Sequence, residues 1–348
     1  MKIGVLTFSK SINYGATLQA IALQKVLQQQ NADVCLMDHR CAPVDSASKV
    51  FDFSKTLKPA YTLPHLVNMP CALKRQKAFG RFWHKHACFG GDDPHMYDAV
   101  VVGSDQVWNF KMTEGDWFYF LDFEKKNVRK YSYAASLGLS EIGEEYAADL
   151  ATKLADFNGI SVRETTAAKL IGEILGKEVP VVLDPTLLLD GSQWATMADN
   201  DFSKKDYIFV YTVFNSDSLW DFAYRLSRRT GLPIYTISYS KFHRHKANYL
   251  FSAGPDEWLS YIQNASYVVT NSFHGMAFSL NFEKQFYYEL PPKASGVGSR
   301  LQDMAEKYGL TERGISHNSC ELIDYKEVSV NLLKDRKESL AFIKKITE

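Results

Sequence analysis

The sequence predicts an α/β protein built from two domains, and three observations lead to that prediction. The chain has 348 residues, which suits two ordinary domains of about 100 to 200 residues better than one. Short apolar runs alternate with amphipathic helical segments, which is typical of parallel sheets covered by helices. The alternation restarts after Asp184 and Pro185, so we predict a first domain over residues 1–184, a second over 185–325 and a C-terminal helix over 326–348.

The first domain opens with a βαβ unit. KIGVLTF is a strand, ATLQAIALQKVLQQQ an amphipathic helix and ADVCLMD the next strand, so the two strands should be parallel. Pro43, Pro59, Pro64 and Pro70 predict that no long element forms between residues 40 and 95, although LKRQKAFGRFWHKH has a helical pattern. The alternation continues through YDAVVVG, RKYSYAASLG, GISVRE, TTAAKLIGEIL and VPVVLDP.

The second domain repeats the pattern. The predicted strands are YIFVYTVF, LPIYTISY, SYVVT and QFYYEL, and the predicted helices are SLWDFAYRLSRRTG, DEWLSYIQNA, the segment from Gly275 to Phe282, and SRLQDMAEKYGL. The charged segment LLKDRKESLAFIKKITE is a final helix that folds back as a brace. Both halves are therefore expected to be Rossmann-like.

Charge and cysteine content narrow the class of protein. Lys plus Arg total 40 and Asp plus Glu total 40, so no net field attracts nucleic acid or an anionic membrane. The five cysteines are scattered without CxxC spacing, as expected for reduced thiols. The sequence shows no signal-peptide pattern and no apolar run of about 18 residues. We therefore expect a cytoplasmic protein.

Polar residues follow four predicted strands, in the corners NYGAT (13–17), GSDQVWN (103–109), SVRE (161–164) and NSFHG (271–275). Ligands of open parallel sheets bind at such strand ends, where the free N–H groups of helix N-termini attract anions. These corners do not match GxGxxG or GxxxxGK[ST], so dinucleotide binding and ATP hydrolysis lack their usual signatures. The simpler alternative is that Asn13 and Ser272 are turn and N-cap residues.

Two side chains in these corners carry their own chemistry. His274 can exchange a proton near neutral pH, although a lone histidine at the head of an apolar helix is often simply buried and hydrogen-bonded. Arg163 offers a planar fork to a carboxylate or phosphate. The alternative for Arg163 is an internal ion pair with Glu164 or Asp184.

Metal binding is not indicated by the sequence. His84, His86 and Cys88 in HKHAC, and His243 with His245 in HRH, lack a second cluster at zinc-like spacing. We therefore expect no metal site.

The segment LKRQKAFGRFWHKH permits a further hypothesis. Phe79, Phe82, Trp83 and His86 would share one helical face beside several lysines and arginines. This pattern allows a peripheral contact with the inner face of a membrane. An ordinary solvated helix is the simpler interpretation.

Several motifs in order carry a family resemblance. NYGATLQA, VVGSDQVWN, YSYAASLG, SVRE, VLDPTLLL, TNSFHGMAFSL and SRLQDM resemble the polysaccharide pyruvyl transferase family over roughly residues 3 to 310. The resemblance implies a GT-B-like fold whose two Rossmann-like domains face a cleft. It also implies transfer of a pyruvyl group from phosphoenolpyruvate to a sugar hydroxyl pair, as a ketal, in the biosynthesis of a surface polysaccharide such as an exopolysaccharide. Phosphoenolpyruvate is then a substrate, and no cofactor is expected.

The resemblance also implies roles for residues. The family's SVRE-like arginine and SFHG-like histidine, linked to binding of the pyruvyl source and to catalysis, map onto Arg163 and His274. We add the hypotheses that His274 is the general acid or a phosphate partner and that Asp105 orients or deprotonates the acceptor hydroxyl. The residues expected to contact phosphoenolpyruvate are Asn13, Gly15, Ser104, Asn271, Ser272, Gly275 and Arg300, and those expected to contact the acceptor are Tyr14, Trp108 and Asn109.

Other functions are compatible with the same architecture. Sugar-nucleotide-dependent glycosyltransferases also have two Rossmann-like domains, so a GT-B glycosyltransferase is the alternative. A two-lobed sugar-binding protein without activity is a third interpretation. The expected partners of a pyruvyl transferase are phosphoenolpyruvate and a sugar or lipid-linked oligosaccharide acceptor, and no nucleic acid.

Overall fold

The computed structural model describes residues 1–47, 59–124, 127–291, 298–317, 319 and 321–348. Within these residues two five-stranded sheets are present, and every strand pairing is parallel. The predicted class, two Rossmann-like α/β domains, is confirmed.

The first sheet is formed by the amino-terminal half of the chain. Its strands are β1 (Lys2–Leu6), β2 (Asp33–Met37), β3 (Phe89–Gly90), β4 (Ala99–Val102) and β5 (Arg129–Ser132). They pair in the order β3-β2-β1-β4-β5. The predicted strands GISVRE and VPVVLDP add to this sheet only through isolated bridges, from Tyr131 to Gly159, from Ala135 to Val162 and from Val162 to Val181.

The second sheet contains β6 (Ile208–Tyr211), β7 (Ile234–Ile237), β8 (Asn248–Leu250), β9 (Tyr267–Thr270) and β10 (Gln285–Tyr288). Their order is β10-β9-β6-β7-β8. Four of these strands match the predicted apolar runs, whereas β8 was not expected. Because all pairings are parallel, the carboxyl ends of the strands meet at one edge of each sheet.

Helices cover the sheets and connect their strands. In chain order they are α1 (Tyr14–Gln28), α2 (Ala42–Ala47), α3 (Pro59–His86), α4 (Phe110–Thr113), α5 (Glu144–Ala155), α6 (Thr165–Leu175), α7 (Pro185–Leu188), α8 (Gly191–Ala195), α9 (Asp217–Thr230), α10 (Pro255–Gln263), α11 (Phe273–Asn281), α12 (Ser299–Lys307) and α13 (Tyr325–Thr347), with 3-10 turns at Pro94–Met96, Trp117–Phe120 and Thr311–Arg313. None of these helices is long and apolar enough to span a membrane.

Helix α3 corrects one prediction. Its 28 residues include Pro64 and Pro70, so the expectation that the prolines would prevent a long element was wrong. An interior proline removes a backbone hydrogen bond, and tertiary packing of the later turns opposes that cost. Phe79 and Phe82 belong to the buried core, and Arg75 donates to the carbonyl of Ser238 at 3.2 Å.

The same packing bears on the membrane hypothesis. Phe79, Phe82 and Trp83 are 2%, 3% and 5% exposed, so the apolar face proposed for a membrane surface lies inside the protein. The hypothesis for this helix is therefore not supported.

One hydrophobic core joins the two domains. It includes Ile3 and Leu18 from the first domain and Trp258 and Phe278 from the second. The ring of Tyr14 stacks on Trp258 with the centroids 5.6 Å apart. The position of the domain boundary at residue 185 stays a prediction.

The C-terminal helix folds back onto the junction. The amide of Leu183 donates to Ser339 Oγ at 3.0 Å, and Arg336 Nε donates to the carbonyl of Leu187 at 2.6 Å. Helix α13 thus braces the segment that connects the domains.

Candidate active site

Three of the four polar corners, GSDQVWN, SVRE and NSFHG, meet at the carboxylate of Asp184. This side chain is fully buried, and its Oδ2 accepts hydrogen bonds from Arg163 Nη1 at 2.6 Å and from Ser104 Oγ at 3.1 Å. Its Oδ1 accepts from the amide and hydroxyl of Thr186 at 2.9 and 2.7 Å. Burial alone would raise the pKa of Asp184, but Arg163, the nearby His274 and these hydrogen bonds hold the pKa at about 2. Asp184 is therefore a fixed negative charge.

Arg163 is surrounded by three carboxylates. Besides Asp184, Asp105 Oδ1 lies 3.7 Å from its Nη2, and Glu164 Oε2 lies 4.0 Å from its Nε. Burial opposes the charged form of Arg163, but these three anions raise its pKa overall. The internal ion pair considered from the sequence is thus present. Even so, Nε and Nη2 are buried without a hydrogen-bond partner among the described residues.

Asp105 and Glu164 are held by backbone groups. Asp105 has a positive φ of 74°, and its Oδ1 accepts from the amide of Gln106 at 2.8 Å. Glu164 Oε1 accepts from the Ser136 hydroxyl and the Leu137 amide, both at 2.9 Å. Each carboxylate is therefore fixed before any ligand enters.

His274 reaches this cluster from the second domain. Ser272 caps α11, because its Oγ accepts from the amide of Gly275 at 3.3 Å. His274, in the first turn, places Nε2 3.9 Å from Asp184 Oδ2. Nε2 is buried and has no hydrogen-bond partner within the described residues. Burial lowers the pKa of His274, and Asp184 opposes this shift only in part, so the imidazole is neutral near pH 7.

Gly15 provides the space that the imidazole occupies. A Cβ at this position would lie 2.0 Å from His274 Nδ1. The glycine of NYGAT therefore allows α1 of the first domain to approach the histidine of the second.

A cavity of about 460 Å³ opens beside the cluster. Its lining includes Arg163, Asp184, Phe273, Arg300, Asp303 and Lys307. The Phe273 ring lies between the two arginines, with its centroid 5.1 Å from Arg163 Cζ and 5.8 Å from Arg300 Cζ. His274 is not part of the lining and meets the cluster at Asp184.

Arg300 is the second buried cation of this cavity. It is 6% exposed, and its Nε has no hydrogen-bond partner in the described part of the chain. Burial, followed by the charge of Arg163, lowers its pKa to about 10. Two guanidinium groups that face one cavity with unpaired N–H groups form a suitable site for a small anion.

The other residues expected to contact phosphoenolpyruvate have structural contacts here. Asn13 Oδ1 caps α1 by accepting from the amide of Ala16 at 3.1 Å. Asn271 binds backbone groups after β6, including the amide of Val213 at 2.8 Å. Gly275 lies against β9, since a Cβ there would be 2.3 Å from Thr270 Oγ1. The capping alternative considered for Asn13 and Ser272 describes their contacts in this structure.

The residues expected to contact the acceptor lie in the core instead. Tyr14 and Trp108 are 0% exposed, and they donate to the carbonyls of Ala253 at 2.8 Å and Tyr119 at 2.9 Å. Asn109 caps α4. The two rings are therefore not available for stacking on a sugar, because other side chains cover them.

Sequence reasoning missed the central part played by Asp184, which it named only as an ion-pair partner. The signal was present, because Asp184 ends an apolar run and is followed by a proline, which is typical of a helix N-cap at a strand end. Phe273 was also missed, since its position between two arginines depends on two distant segments.

The histidine clusters excluded as metal sites have other contacts. His243 stacks on Tyr249 at 3.7 Å and His245 on Trp220 at 4.3 Å between ring centroids. Among the described residues no group of three or more His, Cys, Asp or Glu side chains is arranged to hold a metal ion.

A comparison with known protein families shows which family the chain belongs to. A family model described as polysaccharide pyruvyl transferase matches residues 13–288, most of the chain. The chain belongs to the polysaccharide pyruvyl transferase family. It is therefore a transferase of polysaccharide biosynthesis, and the family's match begins at Asn13 and spans Arg163, Asp184 and His274. No curated protein matches the sequence.

The solved structures that are similar to this chain in fold include two kinds of enzyme. UDP-GlcNAc 2-epimerase from Methanocaldococcus jannaschii, in complex with UDP-GlcNAc and UDP, is 11% identical, with 97% of this chain and 94% of that chain covered and a TM-score of 0.48. UDP-GlcNAc 2-epimerase from Neisseria meningitidis, bound to UDP-GlcNAc, is 10% identical, with 98% and 100% covered and a TM-score of 0.45. E. coli heptosyltransferase WaaC with ADP is 11% identical, with 96% and 100% covered and a TM-score of 0.39.

Proposed function

We propose that this family member transfers a pyruvyl group from phosphoenolpyruvate to two hydroxyls of a sugar and forms a cyclic ketal. The observation that carries the proposal is the set of unpaired buried N–H groups on Arg163 and Arg300 beside one cavity. Each unsatisfied buried donor costs about 1–3 kcal/mol. A ligand with two anionic groups would remove that cost.

Phosphoenolpyruvate matches this requirement because it carries a carboxylate and a phosphate. Each group can accept paired hydrogen bonds from a planar guanidinium. Lys307 also lines the cavity, but its ammonium group is paired with Asp335 at 2.9 Å, and Asp303 and Glu306 line the same cavity. The two arginines are therefore the groups that would bind the anion. The acidic residues Asp184 and Asp105 balance the charge of Arg163 within the protein.

The proposed chemistry begins with protonation of the methylene carbon. The proton makes the adjacent carbon an oxocarbenium-like centre, to which one sugar hydroxyl adds while losing its proton. The C–O bond to phosphate then breaks, inorganic phosphate leaves with its electron pair, and the second hydroxyl adds with loss of its proton to close the ketal. One proton is taken up by the methylene carbon, two are released from the hydroxyls, and the surplus proton goes to the departing phosphate.

We propose His274 as the acid and Asp105 as the group that orients the acceptor. Neither side chain lines the cavity itself, so both roles require that bound substrate extend past Arg163 and Asp184 toward them. Because burial lowers the pKa of His274, its imidazole is neutral near pH 7 and is not by itself an acid. Binding of a multiply charged anion nearby would raise the pKa of His274, so the substrate itself would bring about the protonation. Asp105 is the most exposed of the three carboxylates around Arg163, at 14% of its side chain, which supports its choice as the group that receives a hydroxyl proton.

The test is thermal unfolding of the full chain with phosphoenolpyruvate and, separately, with nucleotide sugars. A ligand at about 100 times its Kd adds about 2.7 kcal/mol, which moves the midpoint by a few degrees. We expect a shift with phosphoenolpyruvate that is lost in Arg300→Ala and kept in Arg244→Ala, which replaces an exposed arginine.

The other outcomes identify the alternatives. A shift only with nucleotide sugars would favour the glycosyltransferase. Binding of phosphoenolpyruvate without phosphate release, across a panel of saccharide acceptors, would contradict turnover by this site.

A further inference from the structure

A second cavity, of about 510 Å³, lies at the carboxyl end of β10 and is not used by the proposed reaction. We call it the β10 pocket. Its lining includes Ser218, Asp221, Arg225, Tyr288, Glu289 and His317. The lining therefore offers both hydrogen-bond donors and acceptors, and it includes positively and negatively charged side chains.

Glu289 is the residue that gives this pocket a specific chemical requirement. Ser218 Oγ donates to its Oε1. Its Oε2 is buried and has no hydrogen-bond partner in the part of the chain that the structure describes. An ionised carboxylate only accepts hydrogen bonds, so this oxygen calls for an O–H or N–H group from a ligand.

The walls of the pocket are held in place. Ser218, Asp221 and Arg225 recur at helical spacing on one face of α9. The opposite wall is attached to β10, because the amide of Ile315 donates to the carbonyl of Tyr288 at 2.9 Å. Ile315 and Leu290 also line the pocket and add an apolar surface.

The pocket lies at the same sheet edge as the candidate active site. The amide of Glu289 donates to the carbonyl of Thr270 at 3.0 Å. Thr270 ends β9 and precedes His274 by four residues. Since β9 and β10 are parallel neighbours, ligands at both places would approach the second domain from the same edge.

We propose that the β10 pocket binds a sugar through two vicinal hydroxyls that donate to the Glu289 carboxylate. A sugar ring has hydroxyls for Glu289, Asp221 and Arg225, and an apolar face for Leu290 and Ile315. This inference rests on the proposed function, because we take the bound sugar to belong to the acceptor. It would be a different sugar unit of the acceptor from the one that receives the pyruvyl group. The diol of a nucleotide ribose has the same chemistry, so the probes must separate the two sources.

The test measures binding of defined probes to the full-length protein by saturation-transfer NMR and titration. The probes are methyl pyranosides and disaccharides with cis or trans diols in one arm, and uridine and adenosine in the other. Glu289→Gln keeps the size of the side chain but removes its charge, and we expect about a 10-fold loss of affinity, as for a charge-assisted hydrogen bond. Ser316→Trp, at an exposed lining position, should block the pocket. Glu283→Gln, exposed and before β10, is the matched control.

The outcomes separate this inference from the proposed function. Pyranoside binding that is weakened by Glu289→Gln and Ser316→Trp, but not by Glu283→Gln, supports an acceptor subsite. The same pattern with nucleosides alone supports the diol site and assigns it to a ribose. Probe binding that both pocket variants leave unchanged, or no binding by either arm, overturns the inference even if phosphoenolpyruvate shifts the unfolding midpoint. Loss of the phosphoenolpyruvate shift with diol binding intact would instead reject the proposed function.

Discussion

Arg163 Nη1 and Asp184 Oδ2 lie 2.6 Å apart, and both side chains are essentially inaccessible to solvent. A buried pair of this kind is costly to break, because the remaining charge has no compensation. Two further nitrogens of Arg163, Nε and Nη2, have no hydrogen-bond partner among the described residues. The ion pair therefore orients the guanidinium and leaves part of it for a ligand.

Removal of the Asp184 charge should destabilise the protein strongly. We expect Asp184→Asn to lower the free energy of unfolding by about 3–5 kcal/mol, because Arg163 stays buried with no full counter-charge. Urea unfolding measures this change. Asp190→Asn is the control, since Asp190 is an exposed helix cap and asparagine caps a helix equally well. A cost below about 1 kcal/mol for Asp184→Asn would contradict a structural role for the pair.

The same carboxylate should contribute to acid unfolding. Its pKa in the folded state is about 2, against an ordinary value of 3.8. Because the folded pKa is the lower one, the stabilisation is present above about pH 4 and is lost as the pH falls toward 2. The loss should be about 2 kcal/mol. Urea midpoints at several pH values from 5 to 2 should show the difference between wild type and Asp184→Asn shrinking, and a constant difference would refute the assignment.

Replacement of His274 should affect turnover more than stability. We expect His274→Gln to lower kcat by about 100- to 10,000-fold, the usual contribution of a positioned acid, while His84→Gln on α3 has no effect. In the free enzyme the pKa of His274 is lowered, and bound substrate should raise it. Both kcat/KM and kcat should decrease as the pH rises, and the decrease in kcat/KM should occur at the lower pH. Initial rates from pH 5 to 9 test this separation, and coincident limbs would exclude protonation of His274 on binding.

Gly15 and His274 should be energetically coupled. A methyl group at Gly15 would meet the imidazole, so we expect Gly15→Ala to cost about 1–3 kcal/mol through overpacking. In a His274→Ala background the cost should disappear, and alanine's helix propensity could then add up to about 1 kcal/mol. A double-mutant cycle by urea unfolding measures the coupling. Gly80→Ala, in α3 with no atom near its Cβ position, should show no coupling to His274.

The sequence predicts the sheets well and the connections less well. Apolar runs such as YDAVVVG and SYVVT lie where β4 and β9 form, because strands that are covered on both faces have continuous apolar sequences. Strand β8, with the sequence NYL, carries no such signal. Helix α3 extends through Pro64 and Pro70, since packing against the second domain outweighs the local preference of proline.

The candidate site was predicted in its composition and only partly in its geometry. Strand-end position identified Arg163 and His274, because parallel sheets gather such residues at one edge. The position of a residue after a strand does not show whether its side chain is buried. Tyr14 and Trp108 also follow strands, yet they are core residues. Their environment depends on distant partners such as Trp258, which no local pattern reveals.

The hydrophobic core that runs from Ile3 and Leu18 to Trp258 and on to Ile346 makes the two halves interdependent. A chimera assembled by exchanging everything after residue 185 between two relatives would place foreign side chains against the native α1 and α3. Such hybrids would lose stability because side chains pack poorly in the core between the domains, even if their substrate pockets were intact. Recombination within this fold is therefore best attempted with the interfacial faces of α1, α3 and α13 transplanted together with the second domain.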